Sequence, residues 1–380
     1  MIASKDRHLF PGSNTAFGFF SYYDHIASPQ AIRVLIIKGG PGVGKSTMMR
    51  RIGNSLQGYG YAVEYLHCSS DPASLDGIHL PELEVTVVDG TAPHMLDPRN
   101  PGAVDEILHL GEFWNETALR AQRNNILTVN MNLSRTFSSV YRHLAAAKHL
   151  YDDIRAWNET AFNPGVANLI TASLIKDLFG NLPTSAKPGR IRHLFASAIT
   201  PDGPTNYLPN LMDAAPHKCI IKGMPGSGCS SLVKRIVHVA AECGLYVEAF
   251  HCGFDPYKYE HALVPQLGLA IITSAAPHEY QASDAQIIDM DTCIDTVYLR
   301  RFSALQMETE TLHQTLIARG VLFLKEAKSL HDLLEQYYAP HMDFAAINAL
   351  CDNIIKRILG YAADKNANSG LTQSALTSNR

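Results

Sequence analysis

Ile36-Ile37-Lys38-Gly39-Gly40-Pro41-Gly42-Val43-Gly44-Lys45-Ser46-Thr47 is the stretch on which the reading of the chain turns. Its spacing, a glycine, four residues, then Gly-Lys-Ser, is that of a loop built to hold phosphate. Glycines let a backbone curl until successive N–H groups point inward at an anion, where side chains would obstruct them. A helix starting near Lys45 adds the partial positive charge of its N-terminus. Lys45 brings a mobile ammonium for the outer phosphates, the Ser46 hydroxyl is a ligand for Mg²⁺, and Thr47 lies close enough to assist. The flanks agree: Arg33 to Ile37 is a short apolar run, and Met48, Met49, Ile52 and Leu56 follow at helical spacing.

The stretch occurs twice. Ile220 to Ser231 reads IIKGMPGSGCSS, 184 residues further on. The same offset pairs His67-Cys68 with His251-Cys252, Asp71-Pro72 with Asp255-Pro256, Leu83 with Leu267, and Ala92-Pro93-His94 with Ala276-Pro277-His278. Upstream, Arg7-His8-Leu9-Phe10 matches Arg192-His193-Leu194-Phe195; downstream, Ala147-Lys148 and Gly180 match Ala327-Lys328 and Gly360. Near-constant offset over this length means a duplication. The expected division is residues 1–188 and 189–363, joined through the linker-like Asn181 to Arg190, with 364–380 a disordered tail.

Within a half, Tyr61 to Leu66 and Val85 to Val88 read as further strands, so the expected class is α/β, a parallel sheet with crossover helices. From Glu112 to Phe179, and again from Thr296 to Leu359, charged and apolar residues alternate at helical spacing with few breakers. Each half is therefore expected to carry a helical subdomain on its own α/β core.

Composition narrows the classes of function. Hydrophobic residues at 46% and charged ones at 18% suit a globular chain, and 32 basic against 36 acidic residues create no field that would draw it onto nucleic acid. Apolar runs such as Leu267 to Ile272 fall far short of the ~20 residues of a membrane span. Seven cysteines without C-x-x-C spacing suggest neither a disulfide framework nor a zinc ribbon, and the histidines form no H-x-x-x-H or H-E-x-x-H. No apolar leader follows Met1, so a cytoplasmic location is expected.

A triphosphate site needs an acidic residue at the end of a neighbouring strand to hold Mg²⁺, and Val85-Thr86-Val87-Val88-Asp89 has that form. With these residues the chain resembles P-loop NTPases, and its doubled layout with Asp89 to His94 is similar to a family of tandem P-loop proteins labelled ATPase or nucleotide-kinase-like. The resemblance implies ATP or GTP as substrate and Mg²⁺ as cofactor. The absence of N-K-x-D tilts the choice toward ATP.

The halves differ in their chemistry. Lys45 becomes Cys229, Asp89 becomes Thr273, Asp97 becomes Gln281 and Arg99 becomes Ser283. Gly223, Gly226, Gly228, Ser230 and Ser231 retain amides and hydroxyls for weak phosphate binding, while a lost charge-assisted hydrogen bond costs about 1.5–3 kcal/mol. One competent site is expected in the first half and a degenerate, structural or regulatory one in the second, with contact between them. Asp97 and Arg99 join Lys45 and Asp89 as candidates because they vanish with them, and Cys229 at a helix N-terminus is a candidate low-pKa thiol. Arg120, Arg123, Arg300 and Arg301 are candidate arginine fingers across the joint. Three activities remain open: nucleotide hydrolysis, γ-phosphoryl transfer to a small-molecule acceptor, and a nucleotide-dependent switch or scaffold. Gly90, where RecA-like and AAA+ ATPases carry a water-activating Glu, weighs against fast hydrolysis.

Overall fold

The computed structural model describes residues 6–92 and 95–377, with side chains described as far as Lys365. In the first half β1 (Asp6–Leu9), a hairpin of β2 (Gly12–Thr15) and β3 (Gly18–Ser21), and β4 (Arg33–Lys38) lead to α1 (Lys45–Gly58). Strands β5 (Val63–His67), β6 (Leu75–Leu80), β7 (Val85–Asp89) and β8 (Asp105–His109) follow, then α2 (Glu116–Ala121), α3 (Arg123–Thr160) and α4 (Pro164–Phe179). The second half repeats the plan: β9 (Ile191–Phe195), a hairpin of β10 (Ser197–Thr200) and β11 (Gly203–Asn206), α5 (Leu208–Met212), β12 (His217–Lys222) and α6 (Cys229–Glu242). It continues with β13 (Val247–His251), β14 (Tyr259–Val264), β15 (Leu269–Thr273), β16 (Gln286–Asp289), α7 (Thr296–Leu299), α8 (Ser303–Tyr338) and α9 (Phe344–Thr377).

The strands form two six-stranded sheets with matching orders, β1-β5-β6-β7-β4-β8 and β9-β13-β14-β15-β12-β16. Both are mixed, which corrects the wholly parallel expectation. β4 runs parallel to β7 and β8, and β1 parallel to β5, whereas β6 is antiparallel to both its neighbours. The connections explain this: the short links from β5 to β6 and from β6 to β7 leave no room for a crossover helix, so the chain turns back on itself. Leu75-Asp76-Gly77-Ile78-His79-Leu80 hides a strand behind two residues of poor strand propensity, Asp76 and Gly77.

The helices attach differently from expectation. α3 and α8, 38 and 36 residues long, lie antiparallel along their lengths, about 55 Å. Ile126 and Val129 meet Leu330 and Leu334 at one end, and Val140 and Leu144 meet Ile317 and Leu324 further along. Beyond this pair the helices change partners. Cys351, Ile354, Ile358 and Ala362 of α9 enter the core built by Met48, Met49, Ile52 and Leu56 of α1, in the other half. Ala167, Leu174 and Phe179 of α4 likewise pack among Leu232, Val233 and Ile236 of α6. Fully buried side chains such as Ile354 and Ile358 contribute about 1.5–3 kcal/mol each, so each core depends on a helix from the opposite half. Arg51 ties the exchange at its rim, 2.6 Å from Asp352. α9 itself continues to Thr377, through the stretch expected to be a tail; no proline interrupts it, and each added residue closes one more helical bond.

At the centre the sheets meet through paired backbone bonds between Phe10 and Phe195, 3.0 and 3.2 Å. Beside them Arg7, Glu64, Arg192 and Glu248, two equivalent pairs in the repeat, form a closed ring: Arg7 reaches Glu64 and Glu248 at 2.5 Å, and Arg192 reaches Glu64 at 2.7 Å and Glu248 at 3.4 Å. Burial alone would raise the Glu64 carboxyl, but Arg192 and Arg7 more than offset it and hold it well below the usual range. Among the described residues no helix is long and apolar enough to cross a membrane.

Candidate functional site

The glycine-rich loop leaves β4 and enters α1 through two residues in the left-handed region, Gly42 at φ 69° and Gly44 at φ 88°. Val43, buried between them, pins the turn to the core. Lys45 opens α1 and folds back, its Nζ donating to the Gly39 and Gly40 carbonyls at 2.8 Å each. It also lies 3.5 Å from Asp89 Oδ2. Asp89 arrives there because β7 pairs with β4 in register, Ile37 opposite Asp89. Its other oxygen accepts from Thr91 N at 2.8 Å, while Thr91 Oγ1 donates to Gly39 O at 3.0 Å. Ser46 Oγ, on the first turn, accepts from Leu75 N at 2.9 Å, and Thr47 is exposed. The fold thus gathers Gly39, Gly40, Pro41, Gly42, Val43, Gly44, Lys45, Ser46, Thr47 and Asp89 around one point. Asp89 and Ser46 offer a carboxylate and a hydroxyl, hard oxygen donors of the kind that Mg²⁺ takes.

Other candidates fall elsewhere. Asp97, largely exposed, lies 3.2 Å from Lys38 Nζ at the foot of the loop. Arg99 pairs with Asp24 at 2.5 Å on the surface. Arg120 pairs loosely with Glu116 at 3.8 Å, and Arg301 lies over the Tyr298 ring. Arg99 sits in the segment before β8, Arg120 in the last turn of α2 and Arg301 between α7 and α8. Pro93 and His94 lie outside the described residues. His67 and His251, common to both halves, are packing groups: each bonds at 2.8 Å to a β-strand histidine, His8 or His193, and stacks against a tyrosine of the opposite half, Tyr207 or Tyr22.

What covers the loop comes from far along the chain. A Cβ on Gly40 would meet the Tyr338 ring at 2.9 Å, one on Gly42 would meet Glu335 Cα at 2.9 Å, and Gly44 faces Phe344 at 3.4 Å. All three come from the second half, from the end of α8 and the start of α9. Lys328, two turns back on α8, reaches Asp71 at 3.8 Å. Its repeat partner Lys148 reaches Asp255 at 3.5 Å. The paired recurrence of Lys148 with Lys328 and of Asp71 with Asp255 was the available signal; Glu335 and Tyr338 carry none, because Arg155 and Asn158 stand at their places in the other half.

The second loop keeps the backbone and loses the chemistry. Gly226 and Gly228 take φ of 89° and 93°, and Gly223, Ser230 and Ser231 keep their positions around the start of α6. In place of a lysine, Cys229 Sγ lies 3.3 Å from Ser227 Oγ, and burial pushes the thiol up, so the helix N-terminus does not make it a low-pKa thiol. Where Asp89 stands in the first half, Thr273 N donates to His261 Nδ1 at 3.2 Å. His261 is wholly buried, held neutral by that burial with its pKa lowered to about 4. Asn158 of α3 closes the outside of the loop, donating to Pro225 O at 2.7 Å.

Comparison of the chain with protein-family models, with curated proteins and with solved structures returns no match. Among those described, no group of three or more His, Cys, Asp or Glu side chains could hold a metal ion. The first loop pairs one carboxylate with one hydroxyl, too few donors to hold Mg²⁺ without a further ligand such as phosphate.

Proposed function

We propose that the first half is a P-loop NTPase domain that binds a nucleoside triphosphate, ATP ahead of GTP, with Mg²⁺, and cleaves its terminal phosphoryl bond. The second half acts as a degenerate P-loop domain with a structural or regulatory role, in a protein of the cytoplasm. The observation that carries this reading is Lys45: its ammonium lies against the loop carbonyls at 2.8 Å and 3.5 Å from Asp89, at the head of a helix entered through two positive-φ glycines. Lys45 would exchange those carbonyls for phosphate oxygens, and the loop amides with the α1 N-terminus would hold the remaining charge. Mg²⁺, when bound by Ser46, Asp89 and the phosphates, would supply charge neutralisation at the bond being broken.

Gly90 favours a second reading, transfer to a small-molecule acceptor. A side chain there would run into Ile36 and come within 3.0 Å of Leu96 O, so this position accepts no water-activating carboxylate. Transfer needs no activated water, and hydrolysis at this site would be slow. ADP release from Mg-ATP, measured for wild type and Lys45→Ala with and without nucleosides and nucleoside monophosphates, tests both. Release that depends on Lys45 but on no acceptor makes the protein an ATPase, and release only with one acceptor makes it a kinase. Equal turnover in Lys45→Ala would sink the site, and tight binding without turnover would make it a switch.

A further inference from the structure

A cleft of about 470 Å³ opens beside the first loop, lined by residues 112–115 of the first half and 340–343 of the second. Backbone bonds fasten its two walls, Asn115 N to His341 O and Asp343 N to Phe113 O, each 2.8 Å. Its place in the fold is informative. β4 and β8 run parallel and end level, Lys38 opposite His109, so the segment leaving β8 travels alongside the loop leaving β4. A Cβ on Gly39 would lie 3.3 Å from Leu110 Cβ, Tyr338 covers Gly40, and the Trp114 and Tyr338 ring centroids are 6.3 Å apart. Ligands of such sheets sit beyond the carboxyl ends of parallel strands. Here Asp89 lies on the β7 side of β4 and the cleft on the β8 side, so a molecule anchored on the loop with its metal toward Asp89 extends its other end toward the cleft.

The lining differs between the two halves. At the equivalent places of the second half, Glu112, Phe113 and Trp114 are replaced by Thr292, Cys293 and Ile294. The equivalence is structural as well, since the Trp114–Met342 bridge has its counterpart in Ile294–Phe162. Trp114 and Glu112 themselves have no counterpart beside the second loop, where Asp295 and Phe162 stand in place of Asn115 and Met342.

We propose that this cleft receives the nucleoside part of the triphosphate, the base stacking on the Trp114 ring and the ribose hydroxyls donating to Glu112 and to Asp343, which caps α9 through Oδ1 at 2.9 Å from Ala346 N. The assignment rests on the first loop being the phosphate site. It makes the nucleotide a joint ligand of both halves, with phosphates held by the first and base and ribose held between them.

The test uses the full chain carrying Trp157→Phe, which leaves Trp114 as its one tryptophan. Mg-ATP, Mg-GTP and inorganic tripolyphosphate are titrated while Trp114 emission is followed, with calorimetry in parallel. The expected result is a change in emission with a nucleotide and none with tripolyphosphate, although both bind. Trp114→Ala should weaken nucleotide binding about ten-fold, the scale of one base stacked on one aromatic ring, and leave tripolyphosphate within about two-fold. Nucleotide binding that leaves Trp114 emission unchanged overturns the proposal even if Trp114→Ala does not fold. So does wild-type nucleotide affinity in Trp114→Ala. In either case, retained sensitivity of tripolyphosphate binding to Lys45→Ala keeps the loop reading standing. Failure of both ligands to bind the parent chain removes the loop reading and this one together.

Discussion

The two glycine-rich loops share a backbone and little else. Both carry a pair of positive-φ glycines, both open a 14-residue helix, and both are pressed from outside by a long helix of the opposite half. One holds Lys45 against Asp89; the other holds Cys229 near Ser227, with Thr273 bonded to a buried His261. Geometry was therefore retained where charge was not. The second loop's shape is demanded by packing, by Asn158 on Pro225 and by Arg155 and Phe162 against Gly226 and Gly228, whatever it binds.

The largest effect should come from making the first loop like the second. Lys45→Cys with Asp89→Thr is expected to lower the proposed nucleotide turnover at least about 100-fold, since two charged contacts assigned to the phosphates would be lost, while circular dichroism and unfolding midpoint stay near wild type. A collapse of the fold would mean that the two loops differ in structural role as well as in chemistry.

A smaller effect, shared by both halves, should appear with pH. Burial lowers His67 to about 4 and His251 to about 3, against about 6.5 in an unfolded chain. The unfolded state binds protons first as pH falls, so the stability due to these neutral rings is complete above about pH 6.5 and is lost down to about pH 4 and pH 3 respectively. Each ring contributes up to about 1.4 kcal/mol per pH unit in that window. Urea unfolding between pH 7 and 4 should show the slope, and His67→Phe and His251→Phe should each flatten it to a similar extent. A flattening confined to one of them would break the equivalence of the two half-structures.

The smallest effect is expected from Arg99→Ala. Its ion pair with Asp24 is exposed on both sides, so turnover should stay within about two-fold and stability within about 0.5 kcal/mol. A large loss of turnover would restore Arg99 to the site.

Much of this comparison was legible in the chain. Loop, strand and helix around Lys45 announce themselves within a dozen residues, because glycine geometry and apolar period are local properties. Asp89 stands out because a run of Val and Thr ends at it. What escaped depends on contacts between distant segments. Nothing in Leu350 to Ala362 says whether that helical face will cover α1 or α6, since both present similar apolar stripes. Nor does any period reveal that Glu335, Tyr338 and Phe344 close over a loop 300 residues earlier. For Arg120, Arg123, Arg300 and Arg301 the chain offers no way to choose between a solvated helix face and a reach across the joint, because sequence position near a helix start fixes no direction. The antiparallel β6 is hidden by Asp76 and Gly77, whose residue types normally mark turns.

The exchange of α9 also imposes an order in time. Lys45 leaves the ribosome early, yet the core beneath it lacks Ile354 and Ile358 until about 300 further residues have been added, on the order of half a minute at ordinary elongation rates. Through that interval the apolar face of α1 has no native cover, whereas α6 meets α4 already made and waiting. The half that carries the intact loop is thus the one whose folding finishes last, and the nascent chain passes through a period in which the plain second loop is supported and the first is not.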